Sequence, residues 1–308
     1  MRDSKHGGNV RMVLLAGSSH PTLTSDIASV LKHPLGHCRV DRFPDGEFDI
    51  EVDRGVRGAH VFIVQSLHSP VGDHLLELCL IADASWRQGA VEVTAVIPYL
   101  GYARHDRREV GQEPLGARVV AELIAAGRID RIICLDLHSR AVEGCFNKPV
   151  DHANATEALT QAMVPYLQPN SVVVSPDLGA VKRAEGVARA LKLPVAIVHK
   201  QRLSGTDVQT HGVVGNVENK HPIIVDDLIS TGGTIVAAIE AIVHAGALAP
   251  MIVAASHGLF VGPAAKRLAH AAIDRIIVTD SVPMPADVLL RVQRVRSAPA
   301  IAQIISRM

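Results

Sequence analysis

Two adjacent carboxylates, Asp226 and Asp227, close the apolar run Ile223–Val225. The segment IIVDDLISTGGT then passes through Ser230, Thr231, Gly232, Gly233 and Thr234 into an amphipathic stretch. An apolar strand of this kind delivers its acids to its C-terminal end, where open α/β sheets bind ligands. Glycines let the backbone come close to an anion, and N–H groups at the start of a helix hydrogen-bond it. Thr231 and Thr234 add hydroxyl donors. Acids beside an anion cradle suit a sugar phosphate, with carboxylates accepting from the sugar hydroxyls and amides holding the phosphate. The plainer alternative is a strand–turn–helix with Ser/Thr capping and solvated acids.

Other charged segments lie near the ends of apolar runs. His138 follows the run Arg131–Leu135, and Asp177 sits in Ser175-Pro176-Asp177-Leu178-Gly179-Ala180 after Ser171–Val174. A histidine at a strand end is commonly satisfied by backbone, and in a chain with 16 histidines a single one is weak evidence of a site. Phe43-Pro44-Asp45-Gly46-Glu47 reads by itself as a Pro-Asp-Gly turn, and Arg104-His105-Asp106-Arg107 as a solvated charge run. Lys200 and Arg202 stand just beyond a strand and before Ser204–Gln209, a Gly/Thr/Asp-containing stretch that reads as flexible. No GxxxxGK[ST] occurs, so a nucleotide here is not held by a P-loop.

The elements that must position these groups alternate along the chain. Val61–Val64, Val93–Ile97, Arg131–Leu135, Ser171–Val174, Val195–Val198, Ile223–Val225, Met251–Ala254 and Arg275–Val278 are strand-length runs. Most lack polar alternation, as strands covered on both faces do. Asp73–Trp86, Arg118–Ala126, Ala180–Leu191 and Gly233–Ala245 have helical length and an apolar face. Alternation of the two predicts a parallel α/β architecture. The pattern also repeats. HVFIVQSLHSPVGD from His60 answers HPIIVDDLISTGGT from His221, VTAVIPYLGY answers MIVAASHGLF, and DRIICLD at Asp130 answers DRIIVTD at Asp274. Three matches in one order predict two similar α/β units, with chance likeness of apolar strands as the alternative. The boundary is expected near Asp151–Thr156, giving domains 1–152 and 153–308, with the last residues available to pack back on the first.

Composition narrows the class. Of 308 residues, 48% are hydrophobic and 20% charged, which supports a large core and excludes a disordered chain. Lys+Arg 31 cancels Asp+Glu 31, leaving no basic field for a nucleic-acid backbone, and 3% aromatics supply no base-stacking platform. Cys38, Cys79, Cys134 and Cys145 form no CxxC pair, against a zinc ribbon or a disulfide scaffold. Met1–Val10 is polar and Met12–Ala16 is too short for a signal sequence or a membrane span. A soluble, cytoplasmic protein with neither a nucleic-acid nor a membrane partner is expected.

Taken together, the motifs carry a resemblance. VDDLISTGGT resembles the ribose-phosphate loop of type I phosphoribosyltransferases and of ribose-phosphate diphosphokinases, the PRPP synthetases. FPDGE looks like the synthetase FxDGE loop, IPYLGYARHDR (Ile97–Arg107) like its ATP-binding segment, and Asp136-Leu137-His138 like its DLH motif. SPDLGA resembles its pyrophosphate loop, and His199-Lys200-Gln201-Arg202 the basic start of its catalytic loop. The motifs follow the synthetase order from Phe43 to Thr234, and the resemblance extends over nearly the whole chain.

This resemblance implies two type I phosphoribosyltransferase-like domains, each a mainly parallel sheet flanked by helices. It implies Mg²⁺-dependent transfer of the diphosphoryl group of ATP to the C1 hydroxyl of ribose 5-phosphate, giving 5-phosphoribosyl 1-diphosphate (PRPP) and AMP. Phe43, Asp45 and Glu47 would then contact adenosine from a neighbouring subunit, while Arg104, His105, Asp106 and Arg107 line the ATP site. His138 and Asp177 would hold metal, and Lys200 and Arg202 would reach the transferred group on loop closure. Asp226, Asp227, Ser230, Thr231, Gly232, Gly233 and Thr234 would bind ribose 5-phosphate. A shared ATP site implies a homo-oligomer, from dimer to hexamer. The chain departs from the pattern at His105, where many synthetases have Gln, at Ala180 in place of Gly, and at Ser230 in place of Asp. Arg108–Arg118 also lacks the Arg-Ser-Arg-rich segment associated with phosphate activation and ADP inhibition. A phosphoribosyltransferase explains VDDLISTGGT but not the other motifs. A non-catalytic synthetase-associated regulatory subunit is expected to lose site residues that are all present here.

Overall fold

Runs of Val and Ile become strands because their branched side chains pack well where both faces of a sheet are covered. The computed structural model describes residues 11–108, 111–202, 209–286, 288 and 290–308. The chain divides into two units. One ends at Ala153 and is completed by Ala298–Met308; the other is Asn154–Ser297.

The first unit contains β1 (Met12–Ala16), α1 (Pro21–Leu31), β2 (Cys38–Arg42), β3 (Phe48–Val52), β4 (His60–Val64) and α2 (Val71–Arg87). It continues with β5 (Glu92–Ile97), α3 (Gly116–Ala126), β6 (Arg131–Leu135) and β7 (Val150–Ala153). Its sheet has the order β1-β4-β5-β6-β7, with every pair parallel, while β2 and β3 form a separate antiparallel ribbon. Val61, Ile63, Val93, Ile97 and Ile132 pack with Leu78 and Ile81 of α2 and Ile124 of α3 in one core. Burial pushes the thiols of Cys38 and Cys79 up to about 11 and that of Cys134 to about 12, so these cysteines stay protonated and unreactive.

The second unit runs α4 (Thr156–Met163), β8 (Ser171–Ser175), α5 (Val181–Leu191), β9 (Val195–Arg202), β10 (Gln209–Val214) and β11 (His221–Ile229). Then follow α6 (Gly233–His244), β12 (Met251–Gly258), α7 (Ala264–Ala269), β13 (Ile273–Thr279) and β14 (Val292–Val295). The sheet order is β10-β9-β8-β11-β12-β13-β14, parallel except for the antiparallel edge strand β10. The last helix, α8 (Ala298–Ile305), belongs to the first unit and packs on α1. Its buried residues Ala298, Ile301, Ala302 and Ile305 fall on one helical face.

The two units share one plan, as the internal repeat predicts. Strands β1, β4, β5, β6 and β7 of the first stand in the same order as β8, β11, β12, β13 and β14 of the second. The repeated segments from His60 and His221 are β4 and β11, each lying second in its run and each followed by a long helix. Among the described residues, no helix is long and apolar enough to cross a membrane.

Candidate active site

The two acids sit where the strand geometry demands. β11 lies between β8 and β12, and its pairing with β8 ends at Ile224–Val174. Asp226 and Asp227 therefore stand past the end of β8, at the C-terminal edge of the sheet, and both are buried. The Asp227 N–H donates to Asp226 Oδ1 at 2.8 Å. Past them the chain enters α6 through Gly232, whose φ is +77°. A side chain there would be strained, and its Cβ would lie 3.1 Å from Leu268 Cγ. The carbonyls of Ile229 and Ser230 are taken by the N–H groups of Leu259, Phe260 and Val261, which fixes the loop from behind. The capping alternative is not what the structure adopts. No side chain caps α6, so its first-turn amides are open to an outside acceptor.

Three carboxylates crowd this edge. Burial holds the Asp226 carboxyl well above the usual carboxylate range, and the negative charges of Asp227 and Asp177 push it the same way. A folded pKa above the unfolded one means the native state binds the proton more tightly than the unfolded chain. The resulting stability is fully present below the unfolded carboxylate pKa and is lost as pH rises through the folded one. At neutral pH the buried Asp226 carboxyl is thus a cost to folding. Asp226→Asn keeps an oxygen to accept from Asp227 and removes the charge. We expect it to raise the melting midpoint at pH 7–8, by about 2–4 °C for each kcal/mol relieved. That gain should fade towards pH 4. Thermal melts across this range check it, and a shift independent of pH contradicts the assignment of its cause to charge.

Asp177 lies in the loop after β8, with its Oδ1 accepting from Ala180 N–H at 3.0 Å. Ser175 Oγ donates to the Asp177 carbonyl at 2.7 Å, so the loop is tied at both ends. Arg183, which the motif reading did not single out, extends from α5 to Ser256 Oγ of β12 at 3.3 Å. Its signal was its position six residues after Asp177 on the buried side of an amphipathic helix. Lys200 and Arg202 correct one expectation, because they lie inside β9 rather than just beyond a strand. The ladder with β10, pairing Lys200 with His211 and Arg202 with Gln209, prolongs the strand past its apolar part. Pairing of β9 with β8 ends at Ile197, so the basic pair is on a ribbon projecting beyond the C-terminal edge. The stretch expected to be flexible falls mostly on residues 203–208, outside the described residues, as do Glu109 and Val110 and the polar start Met1–Val10.

The remaining candidates belong to the first unit. Phe43–Glu47 is the exposed connection between β2 and β3, and the Phe43 ring is 50% exposed. Arg104, His105 and Arg107 are exposed, and Asp106 half-buried, in the loop after β5. Tyr102 stands edge-on to the His105 ring at 5.8 Å, and the His105 carbonyl accepts from Ala117 N–H at 3.1 Å, which anchors the loop to α3. His138 is exposed just past β6, behind Asp136, whose φ is +41°. At the edge that corresponds to the acidic pair, this unit carries Gln65 and Ser66, both fully buried. Gln65 Oε1 accepts from Ser19 N–H at 3.1 Å, and Glu77 accepts from Ser18 N–H at 2.6 Å and Ser18 Oγ at 2.5 Å. In the first unit a carboxylate of α2 thus fills the loop after β1, the counterpart of the Asp177 loop after β8.

Among the described residues, no three His, Cys, Asp or Glu side chains converge into a ready-made metal cluster. The oxygen donors of Asp177, held in the loop after β8, are of the kind a hard divalent cation takes together with phosphate oxygens.

Residues 12–127 match the model of the N-terminal domain of ribose phosphate pyrophosphokinase, and residues 152–281 match the phosphoribosyl transferase domain. The ribose-phosphate pyrophosphokinase of Caldanaerobacter subterraneus subsp. tengcongensis is 40% identical over 296 residues, 96% of this chain and 93% of that one. The chain belongs to the ribose-phosphate pyrophosphokinase family. The ribose-phosphate pyrophosphokinase of Shewanella oneidensis is likewise 40% identical over 298 residues, 96% of this chain and 94% of its own. The solved phosphoribosylpyrophosphate synthetase of Mycobacterium smegmatis superposes with a TM-score of 0.89 at 36% identity, covering 96% of this chain and 98% of that one. The pyrophosphokinase likeness therefore spans both units, including the first, which a phosphoribosyltransferase reading leaves unexplained.

Proposed function

We infer that this chain is a ribose-phosphate diphosphokinase, transferring the diphosphoryl group of ATP to the C1 hydroxyl of ribose 5-phosphate for nucleotide biosynthesis. The observation that carries the reading is the buried Asp226–Asp227 pair directly before the uncapped start of α6. The amides of Gly233 and Thr234, with the hydroxyls of Ser230, Thr231 and Thr234, hold the 5-phosphate. Asp226 and Asp227 accept from the ribose hydroxyls and fix the ring, which leaves C1 facing out from the edge. The C1 oxygen attacks the β-phosphorus, the bond from that phosphorus to the α-phosphate oxygen breaks, and AMP departs. The proton of the C1 hydroxyl passes to solvent.

The reaction requires a metal, and we assign Mg²⁺. Asp177 would hold it with the oxygen chemistry it prefers; His138, the other expected ligand, stands on the first unit. When bound it neutralises charge on the diphosphate oxygens. Lys200 and Arg202 supply the protein's own cations to the same oxygens from the projecting β9–β10 ribbon, in place of a P-loop lysine.

Adenosine is held in the same reading by Arg104, His105, Asp106 and Arg107 of one subunit and by Phe43, Asp45 and Glu47 of its neighbour. The protein then works as a homo-oligomer, from dimer to hexamer, in the cytoplasm. Dilution below the dissociation range should abolish ATP binding together with activity, because each adenosine pocket loses one wall. Light scattering beside ATP titration reads this, and a fully active monomer contradicts it. The overall assignment is tested by incubating the protein with ATP and ribose 5-phosphate. AMP and PRPP should appear one for one. A phosphoribosyltransferase would instead need PRPP and a base, and a regulatory subunit would form neither product by itself.

A further inference from the structure

The Phe43–Glu47 connection holds itself together only locally. Phe43 N–H donates to the Glu47 carbonyl and Gly46 N–H to the Phe43 carbonyl, both at 2.9 Å, and Asp45 Oδ1 accepts from Glu47 N–H at 3.1 Å. All five residues are exposed, and Gly46 takes a φ of +95°. Such a loop has no buried side chain to fix its shape, and exposed segments of this kind open readily.

One side chain ties it down. Arg42, the last residue of β2, donates from Nη1 to the Gly46 carbonyl at 2.6 Å and from Nη2 to Asp73 Oδ2 at 2.6 Å. Its Cζ also lies 4.0 Å from the centroid of the Phe48 ring, the first residue of β3. A single guanidinium thus touches the far side of the turn, the returning strand and the first turn of α2. A planar fork meets two separated acceptors and an aromatic face at once in a fixed geometry, which the compact point charge of a lysine ammonium does not reproduce.

We propose that Arg42 is a positioning residue for the nucleotide: braced on Asp73 and Phe48, it locks the Phe43–Glu47 loop in the shape that receives adenosine. This rests on the reading of Phe43, Asp45 and Glu47 as adenosine contacts. Locking the loop before binding removes an ordering cost that would otherwise weaken ATP binding. Arg42 touches no reacting atom, so its effect belongs in the ATP KM and not in kcat.

Steady-state kinetics and melting curves of Arg42→Ala, Arg42→Lys, Asp73→Asn and Phe43→Ala in the full chain test this. Arg42→Ala should raise the ATP KM about tenfold, with kcat at saturating ATP and the ribose 5-phosphate KM within about twofold. Asp73→Asn should raise it less, and should add little to Arg42→Ala because both cut one brace. Arg42→Lys should recover only part of the loss. If Phe43→Ala raises the ATP KM and Arg42→Ala does not, the positioning role is overturned while the loop keeps its assignment. If Phe43→Ala has no effect, the assignment of the loop to adenosine falls, and the inference with it. A fall in kcat with a lower melting midpoint for Arg42→Ala makes the residue structural and also overturns the proposal.

Discussion

Replacing Lys200 or Arg202 with alanine is expected to lower kcat by about 10²–10³-fold while leaving both KM values within a few-fold. Diphosphoryl transfer spreads negative charge over oxygens of the moving group, and the chain contains no P-loop lysine to meet it. The two residues occur one residue apart near the end of β9, on the ribbon that passes the C-terminal edge of the second sheet. Cations that engage the diphosphate most strongly as it transfers stabilise the transition state above the ground state. Because both act on one charge cluster, the double variant should lose less than the product of the single losses. If the ATP KM rises and kcat holds, the pair binds the ground state and its transition-state role is wrong.

Loss of an acid from the proposed ribose site should be nearly as severe, and selective. Asp226→Ala or Asp227→Ala removes charge-assisted hydrogen bonds worth about 1.5–3 kcal/mol each, or roughly 10–150-fold. The loss should appear in the ribose 5-phosphate KM or abolish turnover, and leave ATP binding intact. Both acids are buried, and Asp226→Ala also discards a carboxyl whose ionisation is a cost to folding. A variant that folds at least as well as the parent and fails on ribose 5-phosphate separates function from folding. Wild-type constants for both variants contradict the assignment.

How much of this was legible in the sequence depends on the kind of signal. The apolar runs at Val61–Val64 and Ile223–Val225 are parts of β4 and β11, because strands covered on both faces need no polar alternation and stand out from their surroundings. The Asp-Asp pair and Thr-Gly-Gly-Thr were legible because backbone geometry leaves little freedom there, as the φ of Gly232 shows. β7, reading VDHA, and β14, reading VQRV, carry no such signal: they are four residues long and mix polar with apolar side chains. The ribbon of β2 and β3 escaped for a related reason. CRVDR and FDIEV are five residues long and alternate, with Cys38, Val40, Ile50 and Val52 on the core of the first unit. Arg39, Asp41, Asp49 and Glu51 form a charge network that hides the apolar half of the pattern. The extension of β9 through Lys200 and Arg202 rests on ladder pairing with β10, which local composition does not reveal. Glu77 was hidden in an amphipathic helix, and only its bonds to Ser18 show how the first unit closed its own loop.

Everything proposed for the site turns on a diphosphoryl group moving as a unit from ATP to C1 of ribose 5-phosphate. ATP carrying ³²P at the β-phosphorus follows that group directly. With ribose 5-phosphate and Mg²⁺ present, all transferred label should appear in PRPP, matched one for one by unlabelled AMP. Label recovered in ADP, or no transfer at all while ATP and ribose 5-phosphate are both bound, would contradict it.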